Sequence, residues 1–163
     1  MNKILIINTG GTFNKVYNSS NGLLEIDTAF YALKDIVTKW LCNFEILNII
    51  GKDSLKMDNQ DRLELLGTIS QSNHTRIIVI HGTDTIHLSA KYIADAELEK
   101  VVVFTGAMVP YSIDPVEATA NLASAYGYLQ ALETEGVYIS MNGIFGEYDR
   151  VKKDRKQGKF TLL

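Results

Sequence analysis

The residues of this sequence that could do chemistry stand in three short polar motifs, each placed after an apolar run. The motifs are Thr9-Gly10-Gly11-Thr12, His81-Gly82-Thr83-Asp84-Thr85 and Lys152-Lys153. A threonine hydroxyl is a weak nucleophile unless a neighbouring base takes its proton. Open α/β sheets collect such residues at the carboxyl ends of their strands, where two threonines, a carboxylate and a candidate lysine base would be equipped for nucleophilic catalysis.

Each motif also has a purely structural interpretation. The Gly10-Gly11 turn lacks both the dinucleotide fingerprint and the P-loop pattern, so it is a structural turn about as readily as a site. Asp84 or Thr83 could simply cap a helix. His81 and His87 have no further ligands at metal-binding spacing, so we expect structural histidines and no metal.

Composition limits the class of protein. The chain has 163 residues, of which 46% are hydrophobic and 21% charged, so we expect one domain spanning residues 1–163. A net charge of -3 and a pI near 5.6 give no reason to expect a nucleic-acid partner. The basic run at residues 152–156 is typical of a solvated tail or loop, although a functional role stays open.

Targeting and redox features point to the cytoplasm. Cys42 is the only cysteine, so no intrachain disulfide can form, and the residue is expected to pack as a small apolar side chain. The N-terminus, Met1-Asn2-Lys3, leads into an apolar stretch at residues 4–7 that is far too short to cross a membrane and lacks the cleavage region of a signal peptide. We therefore expect a soluble cytoplasmic protein without a membrane partner.

Strand and helix patterns alternate along the chain. Apolar runs that end in turns predict five strands, at residues 4–8, 45–50, 76–80, 101–104 and 137–141. Helical spacing predicts four helices: 29–41, capped from Asp27-Thr28; 59–72; 85–96; and one that begins at Asp114-Pro115 with Glu117 completing a capping pattern and ends before Gly136. This alternation predicts an α/β fold of three layers, a mainly parallel sheet with helices on both faces.

The same patterns predict which side chains face inward. In the first helix the apolar stripe is Phe30, Leu33, Val37, Trp40 and Leu41. In the next two helices the expected inward residues are Leu63, Leu66 and Ile69, then Leu88, Tyr92 and Ile93. Residues 14–25 are the one long irregular stretch and could form a mobile lid.

Taken together, the motifs resemble a known family. The segments Ile-Asn-Thr-Gly-Gly-Thr-Phe, Asp-Ser-Leu-Lys-Met, Ile-His-Gly-Thr-Asp-Thr and Phe-Thr-Gly-Ala-Met-Val-Pro occur here in the order and approximate spacing of the N-terminal domain of bacterial-type L-asparaginases. The resemblance covers essentially the whole chain. It implies a flavodoxin-like or Rossmann-like domain and hydrolysis of the side-chain amide of asparagine, and often glutamine, without a metal or organic cofactor.

The resemblance also implies roles for individual residues. Thr12 matches the attacking threonine, and Tyr17 resembles the loop tyrosine that assists it. Thr83, Asp84 and Lys153 resemble a second triad with lysine as the base, although Lys152 remains an alternative. The expected substrate-binding residues, by side chain or by backbone, are Gly11, Asp53, Ser54, Gly82 and Ala107, with Asp84 also near the α-amino group. Backbone N–H groups near Gly11 and Thr83 could form an oxyanion hole.

Two departures from the family pattern bear on substrate choice. Leu55 stands where the family often has a substrate-binding glutamine, and the sequence ends where a linker to a second, smaller domain would begin. We expect a homodimer or homotetramer that completes the pocket by another contact, a domain that binds a different amide, or a remnant of the enzyme. The alternatives are a non-catalytic amino-acid-binding or regulatory module and, disfavoured by the acidic pI, the amide-hydrolysing subunit of a tRNA-dependent amidotransferase.

Overall fold

A six-stranded sheet organises the fold. The computed structural model describes residues 3–40 and 42–163. The sheet consists of β1 (Ile4–Gly10), β4 (Phe44–Lys52), β5 (Arg76–Ile80), β6 (Val101–Thr105), β7 (Gly136–Met141) and β8 (Ile144–Glu147). The spatial order is β4-β1-β5-β6-β7-β8, with parallel pairing except between β7 and β8. All residues of β1 and β6 are buried, as expected for strands covered on both faces.

Four α-helices among the described residues cover the two faces of this sheet. They are α1 (Tyr31–Lys39), α2 (Asn59–Gln71), α3 (Ile86–Ala94) and α4 (Pro115–Ala131). Buried side chains of α1 and α4 share one core with one face of the sheet, and those of α2 and α3 share a second core with the other face. The predicted three-layer α/β fold is therefore confirmed. Among the helices described, none is long and apolar enough to cross a membrane.

Two predicted inward residues are wrong. Leu63 is 49% exposed and Leu88 is 46% exposed, whereas Leu65 is fully buried. Neighbouring positions on a helix are about 100° apart, so a stripe centred on Leu65 and Ile69 turns Leu63 toward solvent. In α3 the inward stripe begins at Ile86, which likewise leaves Leu88 outside.

Helix ends differ from the prediction by a few residues. Helix α1 begins at Tyr31 because Phe30 has a left-handed backbone (φ 51°), and the Asp27 carboxylate accepts hydrogen bonds from the amides of Ala29 and Tyr31. Predicted inward residue Leu41 lies outside the described residues. Helix α4 begins as predicted, with the Asp114 carboxylate accepting from the Val116 amide and proline in the first turn.

Two antiparallel hairpins lie outside the main sheet. Strands β2 (Lys15–Asn18) and β3 (Leu23–Ile26) form one, and strands β9 (Val151–Asp154) and β10 (Lys159–Leu162) form the other. The expectation of an irregular stretch at residues 14–25 is therefore wrong. That of a tail or loop at residues 152–156 is wrong for residues 152–154, which belong to β9, whereas residues 155 and 156 lie in the turn that follows. The strands of both hairpins have only four residues each and contain no long apolar run. A prediction of strands from apolar runs therefore did not detect them.

Strand β8 was also not predicted from the apolar runs. It pairs with β7 through the turn Asn142-Gly143, in which both residues have positive φ, 53° and 78°. Asn-Gly is the strongest short hairpin signal, because it accepts the left-handed backbone of a type I′ turn. This signal was present in the sequence and could have indicated the strand.

Candidate active site

Two glycines let three chain segments meet at the carboxyl ends of β1, β4 and β5. A Cβ atom added to Gly11 would lie 2.6 Å from the Cα atom of Gly82, and one added to Gly82 would lie 2.5 Å from the Cβ atom of Ser54. Real Cβ atoms do not approach other atoms so closely, so neither position accepts a larger residue without a shift of the chain. The Gly-Gly turn, the buried Ser54 and the His81–Thr85 motif are therefore in direct contact.

Lys153 reaches this edge of the sheet from β9. Its Nζ atom donates to Thr83 Oγ1 at 2.8 Å and to Asp84 Oδ1 at 3.0 Å. Side chains alternate along a strand, so Val151 and Lys153 point inward while Lys152 is exposed. The geometry thereby separates the two lysines that the sequence left as alternatives: it is the Lys153 amino group that touches the threonine hydroxyl.

The carboxylate of Asp84 carries two cationic neighbours. Besides Lys153, the Arg155 Nη1 atom lies 3.5 Å from Oδ1, and Arg155 Nη2 donates to the backbone carbonyl of Asp84 at 3.0 Å. Neither Thr83 nor Asp84 donates or accepts as a side-chain cap at the start of α3, where no such cap bond is made. The capping interpretation of the Thr83-Asp84 pair is therefore wrong, and both side chains are directed to Lys153.

Thr12 lies in the 3₁₀ turn Thr12–Asn14 that follows β1. The turn is held by Asn14, whose Nδ2 atom donates to the carbonyl of Gly10 at 2.6 Å and to Asn8 Oδ1 at 2.7 Å. Asn8 returns a hydrogen bond to Asn14 Oδ1 at 2.9 Å. The Thr12 side chain is half-buried, and its hydroxyl has no hydrogen-bond partner among residues 3–40 and 42–163, so it is available to a ligand. Neither asparagine was singled out from the sequence.

Tyr17 lies on β2 and is 64% exposed. It pairs with Leu24 across the hairpin, and its hydroxyl lies over Gly22. No described residue exchanges a hydrogen bond with that hydroxyl, so the structure does not link Tyr17 to Thr12. The hairpin itself is anchored near Ser54, because Lys15 Nζ binds Asp53 Oδ2 at 2.6 Å.

Asp53 has a structural role in addition to its predicted substrate contact. Burial acts to raise the pKa of its carboxyl, but hydrogen bonds from Lys15 and the Leu55 amide outweigh burial and leave that pKa lowered. The adjacent Ser54 is also fixed, since Thr85 Oγ1 donates to its carbonyl at 2.9 Å. These contacts hold the loop after β4 against the loop after β5.

The loop after β6 brings Ala107 to the same edge, where the residue is fully buried. Asn121 Nδ2 donates to the Gly106 carbonyl at 2.8 Å. Glu117 accepts the amides of Met108 at 3.1 Å and Val109 at 2.8 Å, so its carboxylate holds this loop instead of closing a capping box on α4. The sequence did not reveal these roles of Asn121 and Glu117, because both depend on which loop α4 packs against.

Behind the site, His81 is completely buried and satisfied at both ring nitrogens. The Gly82 carbonyl can only accept, so His81 Nδ1–H donates to it at 2.8 Å and Nε2 of the neutral ring accepts from the Ser89 hydroxyl at 2.7 Å. Ser89 Oγ in turn accepts from Arg62 Nε at 3.2 Å. Burial lowers the pKa of His81 to about 4, so the ring is neutral at pH 7. The expected structural histidine is observed, and within the described residues no cluster of His, Cys, Asp or Glu could hold a metal ion.

Comparison with known proteins identifies the family to which the chain belongs. A family model for the N-terminal domain of asparaginases matches residues 3–159. The chain belongs to the asparaginase family. No curated protein sequence matches it significantly.

Solved asparaginase structures share the fold of this asparaginase domain. The thermostable L-asparaginase from Thermococcus kodakarensis superposes with a TM-score of 0.80 at 21% identity, over 99% of this chain and 51% of that one. The probable cytoplasmic L-asparaginase from Campylobacter jejuni gives 0.79 at 25% identity, over 99% and 53%. L-asparaginase I from Vibrio cholerae gives 0.79 at 20%, over 99% and 52%. The chain thus spans about half the length of these structures.

Within the asparaginase domain, the predicted site residues fall into two groups. One group shares direct contacts at the sheet edge: Gly11, Asp53, Ser54, Gly82, Thr83, Asp84 and Lys153. In the described part of the chain, the side chains of the remaining three residues form no hydrogen bond with the first group: Thr12, Tyr17 and Ala107. A ligand between Thr12 and Thr83 would have to bridge these groups.

Proposed function

We propose that this asparaginase domain is an amidohydrolase that cleaves the side-chain amide of L-asparagine or L-glutamine to the acid and ammonia. The observation that carries the proposal is the hydrogen bond from the Lys153 amino group to the Thr83 hydroxyl, with Asp84 beside it. A lysine amine that has lost a proton can take one from such a hydroxyl, so Thr83, which is in contact with Lys153, is equipped to activate a water molecule.

The proposed reaction proceeds in two steps. The Thr12 hydroxyl attacks the amide carbon and passes its proton, with the help of Tyr17, to the amide nitrogen. The C–N bond then breaks, ammonia leaves, and an ester on Thr12 remains. A water molecule, deprotonated through Thr83 and Lys153, then hydrolyses this ester and restores Thr12. Tyr17 assists the first step when the hairpin that carries it covers a bound substrate. The carbonyl oxygen gains negative charge in both steps. The Gly11 amide itself donates to the Lys52 carbonyl at 2.9 Å, so we propose that other backbone amides near Gly11 and Thr83 stabilise this charge.

The amino-acid end of the substrate would bind at Asp53, Ser54 and Asp84, and the leaving amide at the carbonyl of Ala107. Ser54 is buried against Gly82. The side chain of Leu55 is 66% exposed and offers no polar contact in place of the family's glutamine. The proposal includes no metal or organic cofactor, because the reaction requires only acid–base and hydrogen-bonding groups.

Further parts of the proposal concern assembly and location. We propose that the chain works in the cytoplasm as a homodimer or homotetramer, so that a second copy covers the open side of the site. The support is the exposed apolar surface of the first hairpin, in which Tyr17 and Leu23 are 64% and 60% exposed. Light scattering coupled to size exclusion would measure the assembly, and a strictly monomeric active protein would contradict this part.

A coupled ammonia assay on a panel of amides tests the reaction. We expect release from asparagine or glutamine, and a fall of about 100-fold or more for Thr12→Val and for Thr83→Val. Lys34→Gln, an exposed change on α1, is the matched control and should keep the wild-type rate. Full activity of Thr12→Val, or no ammonia from any amide of the panel, would refute the proposed reaction.

The exposed Leu55 also favours a second candidate, a non-catalytic module that binds an amino acid. Calorimetry separates the two candidates. Binding of asparagine or aspartate with no ammonia released would favour the binding module, whereas turnover would exclude it.

A further inference from the structure

A cavity of about 570 Å³ opens between the start of α3 and the β9–β10 hairpin. Its volume falls within the range of roughly 300–1,000 Å³ that is usual for small-molecule sites. The apolar part of its lining comes from Ile86, Val151 and Phe160. Asp84 and Lys153 also line it, so the cavity borders the candidate active site without containing Thr12 or Ser54.

Basic residues dominate the rest of the lining. Lys152, Arg155 and Lys156 join Lys153 there, against the carboxylates of Asp84 and Asp154. Both carboxylates already have partners. Asp84 is bound by Lys153 and Arg155, and Asp154 Oδ1 accepts the backbone amides of residues 156 and 157 at 2.9 and 3.1 Å.

The cavity therefore has an excess of positive charge. The exposed amino groups of Lys152 and Lys156 form no ion pair with any residue that the structure describes. The neighbouring His87 responds to this charge: burial lowers its pKa, and the positive charges of Arg155 and Lys152 lower it further. An anion placed here would be attracted by the net positive charge of this lining.

We propose that this cavity binds a small organic phosphate monoester. A phosphate monoester carries a charge of about -1.5 to -2 near pH 7, which matches the excess of two basic over acidic residues in the lining. Its organic part would lie against the aliphatic stems of the lining lysines and the exposed edge of Phe160, which is 3% exposed. The site is separate from the proposed amide-hydrolysing groups, except that Asp84 and Lys153 form the wall between them.

Phenyl phosphate is a suitable probe, because it combines the anion with an apolar ring. Binding to the full chain is measured by calorimetry and by two-dimensional NMR. We expect phenyl phosphate to bind about tenfold more tightly than inorganic phosphate, since the ring adds apolar burial. We expect added salt to weaken binding, and amide shifts to concentrate at Ile86, Val151 and Thr161.

A pair of double variants tests the role of charge. Lys152→Gln with Lys156→Gln should weaken phenyl phosphate at least tenfold, whereas Lys34→Gln with Lys91→Gln removes the same charge elsewhere and should leave binding unchanged. Urea unfolding of each variant shows that it is folded. The proposal is overturned if phenyl phosphate does not bind, if both double variants lose affinity equally, or if the NMR shifts lie away from the cavity. Because binding is read without ammonia release, its failure is distinguishable from failure of the proposed amide hydrolysis.

Discussion

Acidification should destabilise this asparaginase domain through a single buried imidazole. His81 is fully buried, and Ser89 and the Gly82 carbonyl occupy its two ring nitrogens. Burial lowers its pKa from 6.5 to about 4 in the folded chain. Between those two values the unfolded chain binds a proton that the folded chain does not, so stability is complete above pH 6.5 and falls as the pH is lowered.

The size of the effect follows from the two pKa values. A difference of one pKa unit corresponds to about 1.36 kcal/mol. With values of 6.5 and about 4, the loss from His81 is about 2 kcal/mol at pH 5 and approaches about 3 kcal/mol below pH 4. Set against a total stability of about 5–15 kcal/mol for a typical domain, this is a large fraction.

Urea unfolding at pH 7, 6 and 5 measures the effect. We expect His81→Gln to flatten the pH dependence by about 2 kcal/mol, because the amide can donate and accept hydrogen bonds but does not titrate. His87→Gln is the matched control. Burial also lowers the pKa of His87, but its side chain is exposed, so a smaller change of the same sign is expected.

If His81→Gln does not fold, the pKa of His81 can still be measured directly in the wild-type protein. The imidazole C–H protons of the wild-type protein can be titrated by NMR, and one histidine should remain neutral to about pH 4. An identical pH dependence in wild type and His81→Gln, or three histidines that all titrate near pH 6.5, would refute the reasoning.

Four other substitutions test the packing of the chain and the chemistry of the site. Gly82→Ala should disrupt the candidate active site, because its Cβ atom would lie 2.5 Å from that of Ser54. At Gly67 the added Cβ atom meets free space, so Gly67→Ala should stabilise α2 by about 0.5–1 kcal/mol. Urea unfolding measures the free energy of unfolding of both variants. Ser89→Ala should cost about 1–3 kcal/mol in the same experiment, since it leaves a buried imidazole nitrogen without a partner, and a cost below about 0.5 kcal/mol would contradict the network. Lys153→Met should lower ammonia release about 100-fold or more while the far-UV circular dichroism stays native, and unchanged release would exclude this lysine as the base.

Much of the fold was predictable because its signals are local. The strands of a parallel sheet are buried on both faces, so β1, β5 and β6 are continuous apolar runs that need no partner to be recognised. The Asp114-Pro115 helix start is likewise a local signal, because capping involves adjacent residues. The helix faces were less reliable, since Leu63 and Leu65 are both leucines and only the packing of α2 on the sheet distinguishes them.

The site was predictable as a set of motifs but not as a geometry. Strand ends in an open sheet converge, which indicated that the loops carrying Thr12, Ser54 and Thr83 would share one edge. The contacts between loops were not predictable, because a side chain such as Glu117 looks like a helix cap in sequence and holds the loop after β6 in the structure.

By itself, the sequence determined the α/β alternation, the strand ends that carry polar residues and the motifs that resemble asparaginases. All of these depend on neighbouring residues. Only the tertiary structure decided between Lys152 and Lys153, because the choice depends on which face of β9 turns toward Thr83. It also revealed the basic cavity, which exists because the second hairpin folds back across α3. Contacts between residues about 70 positions apart, such as Lys153 with Thr83, are determined by packing, and packing is a property of the whole chain.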